Sequence, residues 1–124
     1  MNAKVVATLP AADLDRAKAW YADNLGLKPT TVQENGDCWY ESGGTRFLVY
    51  LSQFAGTNQA TAAGFELDDF DSGIAELRDR GVVFQDYDFG DDFRTVDGVF
   101  NAPDGSRIAW VKDSEGNILG FTTA

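Results

Sequence analysis

Carboxylates and aromatic rings are the side chains with which this chain can do chemistry, because its 124 residues include no histidine. Neutral imidazole is the usual nitrogen ligand for zinc, nickel, iron and copper, and it exchanges protons most readily near neutral pH. The densest set of candidates is residues 86–97, where Tyr87, Phe89 and Phe93 stand among five aspartates. Rings beside acids can clamp a cationic or aromatic ligand by stacking, cation–π contact and charge. The run DYDFGDD at 86–92 is also rich in oxygen ligands for calcium or magnesium, but it lacks a recognisable ligand-loop spacing and reads as a solvated acidic loop. Cys38 is the one cysteine, which excludes an intrachain disulfide and any multi-cysteine metal site. With no histidine to activate it, Cys38 reads as a buried thiol.

Ten Lys and Arg against twenty Asp and Glu leave a formal charge of −10. That field repels phosphate backbones and anionic membrane surfaces, so nucleic acid and membrane are not expected partners. Hydrophobic residues at 44% and charged residues at 24% describe a globular chain, and its length suits one domain spanning 1–124. No apolar run approaches the roughly 20 residues of a membrane span, and MNAKVVATLP does not resemble a signal peptide. A cytoplasmic location is expected.

Two segments must position these candidates, and they begin alike: Asp13-Leu-Asp-Arg-Ala-Lys-Ala-Trp-Tyr and Asp69-Phe-Asp-Ser-Gly-Ile-Ala-Glu-Leu. Leu14, Ala17, Tyr21 and Leu25 recur at helical spacing in the first, as do Phe70, Ile74 and Leu77 in the second. Asp13 and Asp69 suit the unpaired N–H groups of a helix start, and Gly26 and Gly81 suit a stop. Strand patterns follow each helix, over 28–33, 38–42 and 46–52, then over 82–87, 107–112 and 117–123. Gly-rich turns separate them. The order is β-α-β-β-β twice, with repeat one over about 1–52, a polar linker QFAGTNQAT at 53–61, and repeat two over about 62–124. The expected fold class is α+β: two βαβββ repeats forming a curved mixed sheet around a cleft, with helices outside.

That duplicated order, with AADLDRAKAWYADNLGLKP, FELDDFDSGIAELRDRGV and the closing APDGSRIAWVKDSEGNILGF, resembles the vicinal oxygen chelate superfamily of glyoxalases, bleomycin-resistance proteins and extradiol dioxygenases. The resemblance implies metal ligands at four repeat-related strand positions in enzymatic members. Here Val6, Ala62 and Gly120 stand at three of them, and the fourth falls within Leu48 to Tyr50, where there is no acid. The resemblance therefore implies the fold without the metal chemistry, and no cofactor is expected.

With Val6 placed inward, strand alternation turns Thr8, Leu48, Tyr50, Ser52 and Glu66 toward the cleft. Trp110 lies on the middle strand of the second half, as Trp39 and Tyr40 do in the first. The expected ligand-binding set is Thr8, Leu48, Tyr50, Ser52, Glu66, Tyr87, Phe89, Phe93 and Trp110. Two functions fit: a metal-free protein that sequesters a cationic or aromatic antibiotic or metabolite, or a metal-independent lyase or isomerase with Glu66 or an acid of the 86–97 loop as general base and Tyr50 or a backbone amide stabilising an oxyanion. A degenerate homologue acting as a partner subunit is a third. Small members of the family are often homodimers, and the resemblance implies one here.

Overall fold

The computed structural model describes all of Met1–Ala124. Its strands are β1 (Ala7–Ala11), β2 (Thr31–Val32), β3 (Cys38–Ser42) and β4 (Thr45–Leu51), then β5 (Thr61–Leu67), β6 (Val99–Asn101), β7 (Arg107–Lys112) and β8 (Ile118–Thr123). Helix α1 (Leu14–Trp20) continues into a five-residue π-helical turn, Tyr21–Leu25, and α2 spans Phe70–Asp79. The strands form two four-stranded mixed sheets, ordered β1-β4-β3-β2 and β5-β8-β7-β6. In each, the first strand runs parallel to the last and the remaining pairs are antiparallel. The α+β fold of two βαβββ units is the one expected, without a closed barrel. No helix is long and apolar enough to cross a membrane.

Local chemistry sets the helix ends. The Asp13 carboxylate accepts the Arg16 N–H at 3.0 Å, and that of Asp69 accepts the Ser72 N–H at 3.1 Å, each satisfying an orphan donor of the first turn. Gly26 ends the π-helical turn in the left-handed region, at φ 66°. Alternation then divides the strands. Leu9, Ala11, Cys38, Tyr40, Phe47 and Val49 of the first sheet join Ala109, Val111, Leu119 and Phe121 of the second, with Ala17, Tyr21, Ile74 and Leu77 of the helical segments, in one core. A run of rings crosses between the halves: Tyr40 stacks on Phe47 at 5.0 Å, Phe47 meets Phe65 edge-on at 5.7 Å, and Phe65 stacks on Phe121 at 5.1 Å. Tyr40 is thus a core ring, with its hydroxyl buried and unpartnered.

A polar staple fixes the halves more specifically. The β7–β8 turn buries Asp113, Glu115 and Asn117 against the start of α1. Glu115 accepts the N–H groups of Ala12 and Asp13, both at 3.0 Å, and is gripped by the Arg16 guanidinium at 2.8 and 2.9 Å. These donors outweigh the cost of burial and lower the Glu115 carboxyl to about 2. The Tyr21 hydroxyl donates to Asp113 at 2.6 Å, and the Asn117 amide donates to the Pro10 carbonyl at 2.9 Å. Burial, reinforced by the Asp113 charge, pushes the Tyr21 phenol upward. The connection between the halves packs on this turn, because a Cβ added to Gly116 would fall 2.9 Å from the Gly56 Cα.

The second half departs from the expected strands. Residues 82–87 do not form a strand; Phe84 alone bridges Val111, and two positions along β7 the partner of Ala109 is Val99. Residues 86–98 are looped out of one broken edge strand, whose other piece is β6. The excursion is an ordered hairpin. Asp88 pairs with Arg94, the Phe89 N–H donates to the Phe93 carbonyl at 2.8 Å, and the Thr95 N–H donates to the Tyr87 carbonyl at 2.9 Å. Asp97 and Gly98 close it with φ of 51° and 78°, while Val96 and Val99 exchange hydrogen bonds at 2.8 and 3.0 Å. These are the dihedrals that an Asp-Gly pair supplies to a two-residue hairpin turn. The expected linker also ends early, since Thr61 is the first residue of β5.

Candidate ligand-binding site

Trp110 lies opposite Gly120 in the β7–β8 ladder, and Gly120 lies opposite Gly64 in β8–β5. With no side chain on either glycine, the indole lies over the sheet. A Cβ on Gly120 would sit 3.5 Å from both the Trp110 Nε1 and the Thr61 Cγ2. The indole N–H donates to the Thr61 hydroxyl at 3.1 Å. A bulge makes that possible: Thr61 pairs with Ile118 but Ala63 with Leu119, so Ala62 has no ladder partner and Thr61 takes the position facing the indole.

The hairpin closes one side of this platform. Its alternation puts Tyr87, Phe89 and Phe93 on one face, with Asp88 and Arg94 on the other. The Tyr87 ring meets Trp110 edge-on at 5.6 Å and stacks on Phe89 at 6.0 Å, while Phe93 lies 5.7 Å from Trp110 and stacks on Phe100 at 4.5 Å. Tyr87, Phe89, Phe93 and Trp110, with Gln59, Ala60, Thr61 and Ile118, line an open slot of about 230 Å³. Phe89 stands at its mouth, 74% exposed. Such a slot admits one small planar ring system, with polar contacts at its edge from the Thr61 hydroxyl, the Gln59 amide and the Tyr87 phenol.

None of the expected acids lines this slot. The Asp86 carboxylate accepts from the Thr95 hydroxyl at 2.9 Å and the Gly98 N–H at 2.8 Å, holding the base of the hairpin. Asp88 accepts the Gly90 N–H and pairs with Arg94 at 3.3 Å, and these bonds hold its carboxyl below the usual range. Asp91 sits 3.7 Å from Arg94 with its side chain fully exposed. The aspartates build and solvate the hairpin while the rings face the slot.

The other expected residues lie elsewhere. Thr8, Leu48 and Tyr50 share the face of the first sheet turned away from the core, beside Trp39, which carries the Arg46 guanidinium 4.1 Å above its ring. Ser52 caps a turn, its hydroxyl accepting the Phe54 N–H at 3.1 Å. Glu66 is exposed near the end of β5 and lines a cavity with Arg46, and Tyr50 is not part of that lining. Gln59, Ala60, Thr61 and Phe100 carry no sequence signal that assigns them to the site, whereas alternation along the last strand turns Ile118 toward the cleft. Alternating rings on both sides of Gly90-Asp91-Asp92 were the available signal for the hairpin.

The metal positions that the fold implies do not fit a metal. Val6 precedes β1, Ala62 is the bulged residue, Gly120 is covered by Trp110, and the stretch Leu48 to Tyr50 has no carboxylate. No three His, Cys, Asp or Glu side chains converge in a way that could hold a metal ion. A Cβ at Gly120 would already be in van der Waals contact with the Trp110 indole and the Thr61 methyl, and the glycine itself offers no side-chain ligand.

Comparison with known proteins agrees with the topology. The family profile of the Glyoxalase/Bleomycin resistance protein/Dioxygenase superfamily matches residues 5–121. Among solved structures, a glyoxalase/bleomycin resistance protein from Catenulispora acidiphila is similar at 19% identity, with 99% of each chain covered and a TM-score of 0.74. A bleomycin-binding protein complexed with bleomycin is similar at 17% identity, again with 99% of each chain covered and a TM-score of 0.74. A lactoylglutathione lyase from Agrobacterium tumefaciens is similar at 19% identity, covering 100% of this chain and 95% of its own, with a TM-score of 0.72. No curated protein matches the sequence. At these identities the solved structures speak to fold alone, and the match over residues 5–121 places the chain in the Glyoxalase/Bleomycin resistance protein/Dioxygenase superfamily.

Proposed function

We propose that this chain is a metal-free small-molecule-binding protein that holds a planar aromatic ligand in the slot over Trp110. The observation that carries the reading is the ring cluster itself: Tyr87, Phe89, Phe93 and Phe100 around an indole pinned by Thr61. Ring-on-ring stacking in an already formed slot gives affinity without a charge or a metal. From Thr61 onward the chain carries fourteen acidic and five basic residues, so a cationic ligand gains in encounter rate from the long-range field, a contribution that salt screens. Sequestration of an antibiotic or metabolite in the cytoplasm is the biological role this favours, and bleomycin is a rational first probe because a similar structure holds it.

A slot of about 230 Å³ is smaller than the roughly 300–1,000 Å³ of drug-sized pockets, and Phe89 at its mouth is exposed. A second copy that covers Phe89 would enlarge the site, so the proposal includes a homodimer. Isothermal titration of EDTA-treated protein with metal-free bleomycin, quinoline and acridine tests binding, and light scattering tests the dimer. Saturable heat with at least one compound, with affinity reduced about tenfold in Phe89→Ala, is expected. No binding by any, or binding that appears only after adding zinc or nickel, contradicts the proposal.

A further inference from the structure

Arg46 and Glu66, which the aromatic slot does not use, line a single cavity of about 490 Å³ at the seam where β1 meets β5. Its apolar lining includes Val5, Ala7, Phe47, Ala63 and Phe65, and Asp68 lines it as well as Glu66. The charged groups here are unusual for the chain. Arg16, Arg80, Arg94 and Arg107 each pair with a carboxylate, and Arg78 donates to the Asp97 carbonyl. Arg46 alone among the six arginines has no acceptor on the protein. Glu41 lies directly opposite it in the β3–β4 ladder, yet the guanidinium turns instead onto the Trp39 ring, 4.1 Å from the centroid. Glu66 and Asp68 likewise make no salt bridge.

A guanidinium resting on an indole keeps its plane and its N–H fork, so less side-chain entropy is lost when it meets a carboxylate. Carboxylates across the same cavity offer acceptors for an ammonium group, and the phenylalanine wall can cover a short aliphatic segment. We propose that the seam cavity is a second binding site, separate from the aromatic slot, for a small zwitterion of amino-acid type. Its carboxylate meets the Arg46 fork, its ammonium meets Glu66 and Asp68, and its side chain rests on Phe47 and Phe65. A simple anion is repelled by the two acids, and a simple cation leaves Arg46 unanswered.

Titration calorimetry with L-leucine, leucinamide, 4-methylpentanoate and 3-methylbutylamine tests the pairing of charges. Leucine should bind, and each compound lacking one charge should bind at least about tenfold more weakly, the loss expected for one charge-assisted contact. Arg46→Gln and, independently, Glu66→Gln should each weaken leucine binding by about the same factor, with the fold checked by circular dichroism. Phe89→Ala should leave leucine binding unchanged, so failure here is distinguishable from failure of the aromatic slot. The proposal is overturned if leucine does not bind at ~10 mM, or if the four compounds bind alike. It is equally overturned if both folded variants keep wild-type affinity, or if they change only the mass seen by light scattering, which would make the seam an interface between copies.

Discussion

The Trp110 indole donates to the Thr61 hydroxyl across 3.1 Å, tying the middle strand of the second sheet to the first residue of its edge strand, directly above Gly120. This one bond sets the tilt of the platform on which the proposed ligand lies. It exists because a bulge at Ala62 turns Thr61 toward the indole.

Thr61→Val keeps the shape and removes the acceptor, so it should weaken binding of a planar ligand by about fivefold to tenfold, near 1 kcal/mol. Stability should fall by a similar amount. The indole N–H resonance of Trp110 should move in the free protein, and an unchanged resonance with unchanged affinity would deny Thr61 this role.

Rings and charges of the hairpin should separate cleanly. Phe89→Ala should weaken binding by about tenfold at low and high salt alike, because it removes stacking surface. Asp91→Asn with Asp92→Asn should alter affinity less than about threefold, and only at low salt, since neither acid lines the slot. Titrations at two salt concentrations check this; a larger effect from the aspartates would return the site to a charge clamp.

Gly98→Ala should cost about 1–3 kcal/mol. Gly98 holds φ at 78°, and a Cβ there would fall 2.6 Å from the Phe84 Cβ. The substitution strikes the closing turn of the hairpin and the Phe84 bridge together, so urea unfolding should show reduced stability and Tyr87 should lose its contact with Trp110. Wild-type stability would mean that the turn is not built as described.

Glu115 makes stability depend on acid. Its carboxyl is lowered to about 2 by the Arg16 guanidinium and neighbouring donors, whereas an unfolded glutamate titrates near ~4.3. The unfolded state therefore takes up its proton first. The contribution, of order 3 kcal/mol, is complete above about pH 4.5 and disappears as pH falls through about 2. Arg16→Gln should raise the Glu115 carboxyl and lower stability at pH 7. Urea midpoints measured from pH 7 to pH 2.5 check both statements, and parallel pH curves for the two proteins would contradict them.

The sequence disclosed whatever rests on local periodicity. Asp13 and Asp69 are caps because a carboxylate before an amphipathic run has N–H groups to satisfy, and alternation placed Thr8, Leu48 and Tyr50 on one face of their sheet. Trp110, Tyr87, Phe89 and Phe93 were legible as rings able to stack, and the structure assembles them in one slot. Legibility failed where tertiary register decides. The β-branched run at Val82 and Val83 suggests a full strand, but β7 accepts only Phe84 from it before switching to Val99. The bulge at Ala62 is a ladder property with no composition of its own, so Thr61 stayed hidden in the polar connection. Asp86 could not be told from a ligand-facing acid, because its bonds to Thr95 and Gly98 close over nine and twelve residues. Glu66 and Tyr50 were grouped by alternation, which assigns a face and leaves distance along the sheet open.

Whether a planar ligand lies on Trp110 without a metal is reported by the side-chain N–H resonances of the three tryptophans. In EDTA-treated, ¹⁵N-labelled protein titrated with quinoline and acridine, at least one compound should shift the Trp110 indole peak and the amides of Thr61, Tyr87 and Phe93 along one saturable curve, leaving Trp20 in place. No saturable shift at these positions, or one that requires added divalent metal, would contradict the account.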